Sequence, residues 1–354
     1  MLFRTARSVV GLDIGSSAVK AIEIRPSGRG YKVVHFGTAP VPPGSIVDGN
    51  IVDSLSVAEA IRHVLESQRI TTKQVATSLS GNAVIVKKIS VPAMTDAELA
   101  ESIYWEAEQY IPFDIQDVTI DYQVLRNGKP HTATGTMDVL LVAAKNEKVA
   151  DYTNVIAQAG RIPDVLDIDA FALQNAYEAN YGVDERRVVL LLDAGASSIN
   201  INVVRGGQSL FTRDISIGGN DYTEALQREL GLPAASAEEV KKGHAFGGVS
   251  PEEARPVIDG ITENVMLEIQ KTVDFFKASG ASDHFDQIML SGGASRLPGL
   301  GPTLEGRFET PVATFDPFRR VSVDERRPGM LAALEAGPAA AVAVGLALRK
   351  AGDR

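Results

Sequence analysis

Cysteine is absent from the 354 residues, and histidine occurs only five times. The lack of cysteine excludes disulfides, thiolate catalysis and cysteine-based zinc sites, and no histidines show a ligand spacing such as HExxH. Long apolar runs are also lacking. The stretch from Ala339 to Leu348 covers ten residues, about half of the ~20 that a membrane-spanning helix needs. With no signal-peptide pattern at the N-terminus, the sequence predicts a cytoplasmic protein.

Basic residues are outnumbered, with 35 Lys and Arg against 45 Asp and Glu, which gives a formal net charge of -10. Such a surface repels nucleic acid and anionic bilayers, so neither is expected to bind directly. The apolar share of 44% and the charged share of 23% are typical of a globular protein with a substantial core. The length predicts two domains, or one domain with a large insertion.

An internal repeat dominates the pattern of predicted strands. Alternating residues and Gly/Ser turns predict one three-strand meander at the N-terminus and a second one further along. The strands are Val9–Ile14, Val19–Ile24 and Tyr31–Phe36, then Val188–Asp193, Ile199–Val204 and Leu210–Ile215. Aligning LDIGSSAVKAIEI with LDAGASSININVV pairs Asp13 with Asp193 at a constant offset of 180 residues. Two related α/β lobes are therefore expected.

Residues 84–165 follow a different pattern, which predicts a strand-helix-strand-strand-helix insert. Its first helix begins at a capping box formed by Thr95 and Glu98. Asn127-Gly128 is a hairpin turn signal. The predicted elements are strand Val84–Val91, the helix to Tyr110, strands Val118–Leu125 and Met137–Ala144, and helix Asn146–Ala159.

Helices are predicted outside the insert as well. A capping box at Ser56 and Glu59 predicts a helix to Gln68. Later helices are expected at Tyr222–Leu230, Ala237–His244 and Pro256–Ala278, with a strand at Gln287–Leu290 and a closing Ala-rich helix.

Each meander places an aspartate at the end of its first strand, followed by a turn of small residues. Small residues let backbone N–H groups approach a phosphate, and the aspartate acts through a hydrated divalent cation. One such turn is ordinary turn chemistry, but two in matching frames predict a shared polyphosphate site. The pair Gly292-Gly293 after a buried strand leaves room for a flat adenine ring. Glu238 and Lys241, taken alone, are an ordinary surface pair.

In this order, the segments resemble the actin, Hsp70 and sugar-kinase superfamily, with phosphate-1 at Leu12–Lys20, phosphate-2 at Leu192–Ser198 and the adenosine motif at Met289–Ser295. The resemblance implies ATP and Mg as cofactors, with Asp13 and Asp193 holding Mg through water. The implied nucleotide-binding residues are Asp13, Gly15, Ser16, Ser17, Lys20, Asp193, Gly195, Ala196, Ser197, Gly218, Gly219, Glu238, Lys241, Gly292 and Gly293. Asp169 is a candidate for positioning the attacking water, and capping of the following helix is an equally good explanation.

The position of the insert is similar to that of the 1C (SHS2) subdomain in FtsA. Three further segments resemble the PilM family of type IV pilus assembly: Pro43–Gly49, Val91–Met94 and Glu106–Phe113. The resemblance implies an actin-like, ribonuclease H-like α/β fold. Residues 1–83 and 322–354 would form subdomain 1A, residues 84–165 the 1C insert, and residues 166–321 the second lobe, 2A and 2B.

The implied function is that of an ATP-binding scaffold in the pilus inner-membrane platform. It would take the cytoplasmic N-terminal peptide of PilN in a groove between 1A and 1C, and link to other platform and motor proteins. It would reach the inner face of the membrane only through partners. Whether the chain also forms homo-oligomers stays an open question. We expect slow or negligible ATP hydrolysis.

Two alternatives stay open at this point. One is an FtsA-like cell-division filament protein, although the tail 339–354 lacks the large apolar face of a membrane anchor. The other is a sugar kinase or polyphosphate hydrolase, for which the sequence offers no clear general base.

Overall fold

A computed structural model describes residues 9–28, 30–125, 135–327 and 329–350. The strands are β1 Val10–Ile14, β2 Ala18–Ser27, β3 Gly30–Pro40, β4 Ile46–Val47, β5 Asn50–Ile51, β6 Gln74–Leu79, β7 Val84–Pro92, β8 Val118–Leu125, β9 Thr136–Lys145, β10 Ile162–Ile168, β11 Val189–Ala194, β12 Ile199–Arg205, β13 Gln208–Ile215, β14 Gln287–Ser291, β15 Val312–Thr314 and β16 Val321–Ser322.

The α-helices are α1 Ser54–Ser67, α2 Asp96–Glu108, α3 Asn146–Gln158, α4 Asp169–Tyr181, α5 Gly219–Leu230, α6 Ala234–Lys241, α7 Pro251–Ala278, α8 Leu300–Phe308, α9 Leu331–Ala336 and α10 Ala341–Ala347. Within the described ranges, none of these helices is both long enough and apolar enough to cross a membrane.

The first lobe is built on a six-stranded sheet in the order β10-β6-β1-β2-β3-β16. Helices α1 and α3 share one apolar core with β1. The Ala-rich helix α10 packs against β1 and α4 at very short range. A Cβ on Gly11 would lie 2.2 Å from the Ala343 carbonyl oxygen, and one on Gly345 would lie 1.7 Å from that of Ala172. Two glycines therefore let the closing helix approach the sheet and α4.

The second lobe repeats this plan on a five-stranded sheet in the order β13-β12-β11-β14-β15. Its meander is antiparallel, and its register matches that of the first lobe. Asp13 pairs with Lys20 across β1 and β2, and Asp193 pairs with Asn200 across β11 and β12. The predicted duplication is therefore present in three dimensions, with the offset of 180 residues kept at both positions.

The insert has its own three-stranded sheet, in the order β7-β9-β8. Its core lies between this sheet and α2 and includes Ile89 of β7, Leu99 of α2 and Leu141 of β9. The predicted capping box is confirmed: the Thr95 N–H donates to the Glu98 carboxylate at 2.8 Å, and the Glu98 N–H donates to the Thr95 hydroxyl at 3.3 Å. The predicted turn Asn127-Gly128 lies outside the described residues.

Helix α3 closes the predicted insert in sequence, but it packs elsewhere. Tyr152, Val155 and Ile156 lie in the core of the first lobe together with Ile61 of α1. Strand β10 likewise joins the first-lobe sheet, parallel to β6. The boundaries of the three units stay a prediction, and the packing assigns these two elements to the first lobe.

Four predicted helix starts are wrong. Helix α5 begins at Gly219 rather than Tyr222, and α6 begins at Ala234 rather than Ala237. Helix α1 begins at Ser54, because Asp53 is the N-cap and accepts a hydrogen bond from the Ser56 N–H at 3.1 Å. Helix α7 begins at Pro251 rather than Pro256. The capping box of Ser250 with Glu253 starts it, and a proline in the first turn suits a helix start because no backbone donor is needed there.

Candidate nucleotide-binding cleft

A cavity of about 460 Å³ lies between the two lobes, within the usual size range of ligand pockets. Both predicted phosphate turns open onto it. The predicted site residues that line it are Asp13, Gly15, Ser16, Ser17, Lys20, Asp169, Asp193, Gly195, Ala196, Ser197, Gly219, Glu238, Lys241, Gly292 and Gly293. The structure thus brings residues from distant parts of the chain to one cavity.

The two turns face each other with the same geometry. The Gly15 N–H donates to the Ala18 carbonyl at 3.2 Å, and the Gly195 N–H donates to the Ser198 carbonyl at 2.9 Å. The Ser16 and Ser197 hydroxyl oxygens lie 2.8 Å apart and share a hydrogen bond across the lobes. Small polar groups from both lobes therefore meet at one point, as a shared polyphosphate site requires.

Asp13 and Asp193 enter this cavity with different partners. Lys20 Nζ lies 2.7 Å from the Asp13 carboxylate. Asp193 instead accepts a hydrogen bond from the Ser291 hydroxyl at 2.8 Å. Burial raises the pKa of Asp193 to about 6, with the nearby charge of Asp13 adding to the shift. Burial opposes the charge of Lys20, but the ion pair with Asp13 outweighs it and raises the lysine pKa.

Asp169 is the first residue of α4, and the N-cap position falls on Ile168. The alternative explanation of Asp169 as a helix cap is therefore wrong. Its carboxylate accepts hydrogen bonds from the hydroxyls of Ser78 and Ser80. Burial, with the charge of Asp13, raises its pKa to about 7. A carboxyl group with a pKa near neutral pH can accept or donate a proton there, and its catalytic role stays a prediction.

The donor set of the cleft fits magnesium held through water. Mg²⁺ prefers oxygen ligands and retains several waters. Carboxylates of Asp13, Asp169 and Asp193 line one cavity, and a divalent cation would relieve their repulsion. Across the described residues, no cluster of three or more His, Cys, Asp or Glu side chains is placed to hold a metal directly.

The far end of the cavity has the predicted glycine pair. Gly292 has a φ of +88°, and a Cβ there would lie 2.2 Å from the Ala194 carbonyl oxygen. Gly293 differs: among the described residues, no heavy atom lies within 4 Å of its added Cβ. Gly292 therefore allows the end of β14 to pack directly against the end of β11, while Gly293 leaves open space beside the cavity.

Glu238 and Lys241 are more than a surface pair. Lys241 Nζ donates to the Glu238 carboxylate at 2.6 Å, to the Thr223 hydroxyl at 2.9 Å and to the Gly219 carbonyl at 3.1 Å. Its side chain is only 10% exposed. Lys241 thus fastens α6 to the start of α5 at the cavity wall.

Gly218 lies behind the wall instead of on it. A Cβ there would be 2.7 Å from the Ala196 carbonyl oxygen and 2.9 Å from that of Gly195. Its predicted place lining the nucleotide is therefore corrected: Gly218 supports the second phosphate turn by close packing.

Sequence reasoning missed several residues of the cleft. Asn200, Ser80 and Tyr152 line it. Asn200 could have been found, because it stands 180 residues after Lys20. Ser80 and Tyr152 had no comparable signal, since only the tertiary fold brings them to the phosphate turns.

A second cavity, of about 650 Å³, lies where the insert meets β10 and α4, and the turn between β12 and β13 of the second lobe also lines it. It runs between β8 of the insert and β10, each at an edge of its sheet. Apolar side chains include Val124, Leu166 and Phe171. Asp167 and Arg349 also line it, with Arg349 Nε 3.3 Å from the Asp167 carboxylate.

The duplicated meanders, the cleft between them and the insert in the first lobe define the actin-like ATPase fold. The sequence model of the family described as "Type IV pilus assembly protein PilM" matches residues 11–351, and the chain belongs to this family. The family and fold predicted from the sequence are confirmed.

Among solved structures, the chain is similar to one in the "PilM-PilN type IV pilus biogenesis complex", with 33% identity and a TM-score of 0.85. The match covers 97% of this chain and 98% of that one. Cell division protein FtsA of Escherichia coli (strain K12) is 25% identical over 358 residues, covering 86% of this chain and 83% of FtsA. MreB5 of Spiroplasma citri bound to ADP is 14% identical with a TM-score of 0.53, over 96% and 94% of the two chains, a likeness of fold alone.

Proposed function

We propose that this chain is an ATP-binding scaffold of type IV pilus assembly that also binds the cytoplasmic N-terminal peptide of PilN. One observation carries the proposal: the likeness to a chain of the PilM-PilN complex extends over 97% of this sequence at 33% identity. Both cavities described above lie within that span. The FtsA relatives support a cell-division filament protein less well, since their identity is 25% or lower.

The interlobe cleft is proposed to hold ATP with Mg²⁺. Backbone N–H groups of the two turns would approach the phosphates, and Lys20 would leave Asp13 for a phosphate oxygen. Asp13 and Asp193 would hold Mg²⁺ through water, which supplies charge neutralisation at the phosphates. Gly293 would leave space for the base. Glu238 and Lys241, which line the same cavity, would face the ribose and base.

The second cavity is proposed to hold the PilN peptide at the groove between 1A and 1C. Edge strands carry unpaired backbone N–H and C=O groups, to which an extended peptide can add as a further strand. Here two edges, β8 and β10, border one cavity. Val124, Leu166 and Phe171 offer apolar contacts between them.

Slow or negligible turnover is part of the proposal. Asp169 is held by two serine hydroxyls and half-neutralised near pH 7, so it would position water with less than a full negative charge. Contacts with further platform and motor proteins, and a place at the inner membrane through partners, follow from the pilus role and are proposed with it.

The experiment uses the full chain and two measurements. Calorimetry with Mg-ATP tests the cleft, and fluorescence anisotropy with a labelled PilN N-terminal peptide tests the groove. We expect Phe171→Ala to weaken peptide binding at least about fivefold, because an aromatic contact buried by the peptide is worth about 1 kcal/mol or more. Phe275→Ala is the matched control, since Phe275 is exposed on α7. The groove assignment is contradicted if Phe171→Ala binds the peptide as tightly as Phe275→Ala does. It is also contradicted if the parent protein does not bind the peptide.

A further inference from the structure

The insert joins the body at a neck, which we define as residues 80–83 and 145–148. The chain enters the insert through residues 80–83 and leaves it through residues 145–148. The two crossings are bonded to each other, since the Lys145 N–H donates to the Ala83 carbonyl at 3.0 Å. Within the described residues, the insert core from Ile89 to Ala143 shares no member with the first-lobe core. The neck, together with the contact of β7 with β13 of the second lobe, therefore sets how the insert is oriented on the body.

Within the neck, a buried lysine at the start of α3 bonds the two crossings to each other. Lys148 is 4% exposed, and its Nζ donates to the Ser80 carbonyl at 2.5 Å. The Ser80 hydroxyl in turn donates to Asp169 in the nucleotide cleft. A buried ammonium group with few partners is costly, so this contact ties Ser80 firmly to α3.

From the second lobe, Asp214 of β13 reaches across to the same segment. One of its carboxylate oxygens accepts the Gly81 N–H. The other accepts a hydrogen bond from the Asn200 side-chain amide at 2.7 Å. Asn200 lines the cleft and is the cross-strand neighbour of Asp193. One carboxylate thus bonds both a cleft residue of the second lobe and the neck of the insert.

We propose that Asp214 is a positioning residue that couples the nucleotide cleft to the peptide groove through the neck. The inference rests on the proposed function and deepens it, since it names the contact by which one ligand would alter the affinity of the other. A ligand that shifts the second lobe moves Asp214 and, with it, Gly81 and the first residues of β7. Strand β8, which borders the groove, belongs to the same small sheet as β7.

The physical requirement is differential affinity. Mg-ATP can change peptide affinity only if the neck has two arrangements that the two ligands prefer unequally, and the coupling then acts equally in both directions. A carboxylate with both oxygens engaged by different lobes supplies such a linkage. A purely structural tie would change stability but leave the coupling factor between the two ligands intact.

The test is Asp214→Asn in the full chain. Asparagine keeps the shape but replaces one acceptor oxygen with an NH₂ donor, so it cannot accept from both Gly81 and Asn200. Asp259→Asn is the control, because Asp259 is exposed on α7 and undergoes the same chemical change. The dissociation constant of the labelled PilN peptide is measured with and without Mg-ATP.

We expect Mg-ATP to change the peptide dissociation constant at least about fivefold in the parent and in Asp259→Asn, a typical coupling. In Asp214→Asn the change should fall below about twofold, with each ligand still binding. An unchanged coupling factor in Asp214→Asn, or no coupling in the parent, overturns the inference and leaves the proposed function standing. Failure of the peptide to bind in any state counts against the proposed function instead.

A second measurement does not need the peptide. Amide hydrogen exchange over residues 81–90 is followed with and without Mg-ATP. Under the inference, Mg-ATP alters exchange in this segment in the parent and not in Asp214→Asn. Equal responses in both proteins overturn it.

Discussion

Lys20 and Asn200 occupy equivalent positions in the two meanders and bind different partners. Lys20 forms an ion pair with Asp13 at 2.7 Å, whereas Asn200 donates to Asp214 at 2.7 Å. The duplicated aspartates therefore differ electrostatically: Asp13 has a cation beside it, and burial raises the pKa of Asp193. The two lobes of the pseudo-symmetric site therefore present different charges to the same cavity.

Lys20→Gln is expected to weaken ATP binding by about 10- to 150-fold, because hydrogen bonds to charged groups are worth about 1.5–3 kcal/mol. Calorimetry with Mg-ATP measures the loss. Lys271→Gln is the control, since Lys271 forms an exposed pair with Glu268. Equal affinities for the two variants would show that Lys20 stays with Asp13 and takes no phosphate.

Binding of Mg-ATP is expected to weaken as the pH falls from 7.5 to 5.5. The pKa of Asp193 is about 6 in the ligand-free protein, and magnesium requires the ionised carboxylate. The phosphates also titrate in this range, so the informative quantity is the difference between the parent and Asp193→Asn. The variant should bind Mg-ATP more weakly than the parent at pH 7.5 and lose less of its affinity on acidification. If the affinities of the two proteins fall in parallel with pH, Asp193 does not have this role.

Asp169→Asn is expected to raise the melting temperature of the ligand-free protein at pH 8 by about 1–2 °C per kcal/mol gained. The folded-state pKa of Asp169 is about 7, above the ordinary value of 3.8. The folded protein thus binds this proton more tightly than the unfolded chain, and the stability it contributes is lost as pH rises from 4 through 7. The variant should therefore match the parent near pH 4 and exceed it at pH 8. Differential scanning calorimetry checks this, with Asp259→Asn as control, and a constant difference across pH would contradict it.

Gly292→Ala and Gly293→Ala form a matched pair with opposite expected results. Alanine at position 292 would place a Cβ at 2.2 Å from a backbone oxygen at a φ of +88°, so the protein should lose several kcal/mol of stability. Alanine at position 293 meets open space among the described residues, so the fold should persist while nucleotide affinity falls. Thermal unfolding and ATP titration separate the two; equal melting temperatures would contradict the first expectation.

The sequence predicted most of the two meanders because alternation and Gly/Ser turns are local signals. It missed β6, Gln74–Leu79, whose last five residues are all buried. A central strand covered on both faces shows no alternation. Strand β10, Ile162–Ile168, was missed as well, although it lies at the edge of the sheet and is only partly buried. The boundary of α1 was missed because Asp53 and Ser56 compete as caps three residues apart, and the sequence alone does not rank them.

The candidate site was predictable where the repeat or a motif marks it, as at Asp13 and Asp193. Lys148 and Asp214 carried no such mark. Their contacts with Ser80 and Gly81 join segments 68 and 133 residues apart, and only the tertiary fold creates them. The position of Gly218 was misjudged for a related reason: a turn glycine can face a ligand or pack against backbone, and the local sequence is the same in both cases.

The hydrogen bond between Ala83 and Lys145 has an evolutionary consequence. An insert whose two ends are neighbours costs the surrounding domain little loop-closure entropy. The residues between these ends can therefore be lengthened, replaced or lost while the flanking sheet keeps its connectivity. Sequence changes in the insert can therefore accumulate with little effect on the two duplicated lobes.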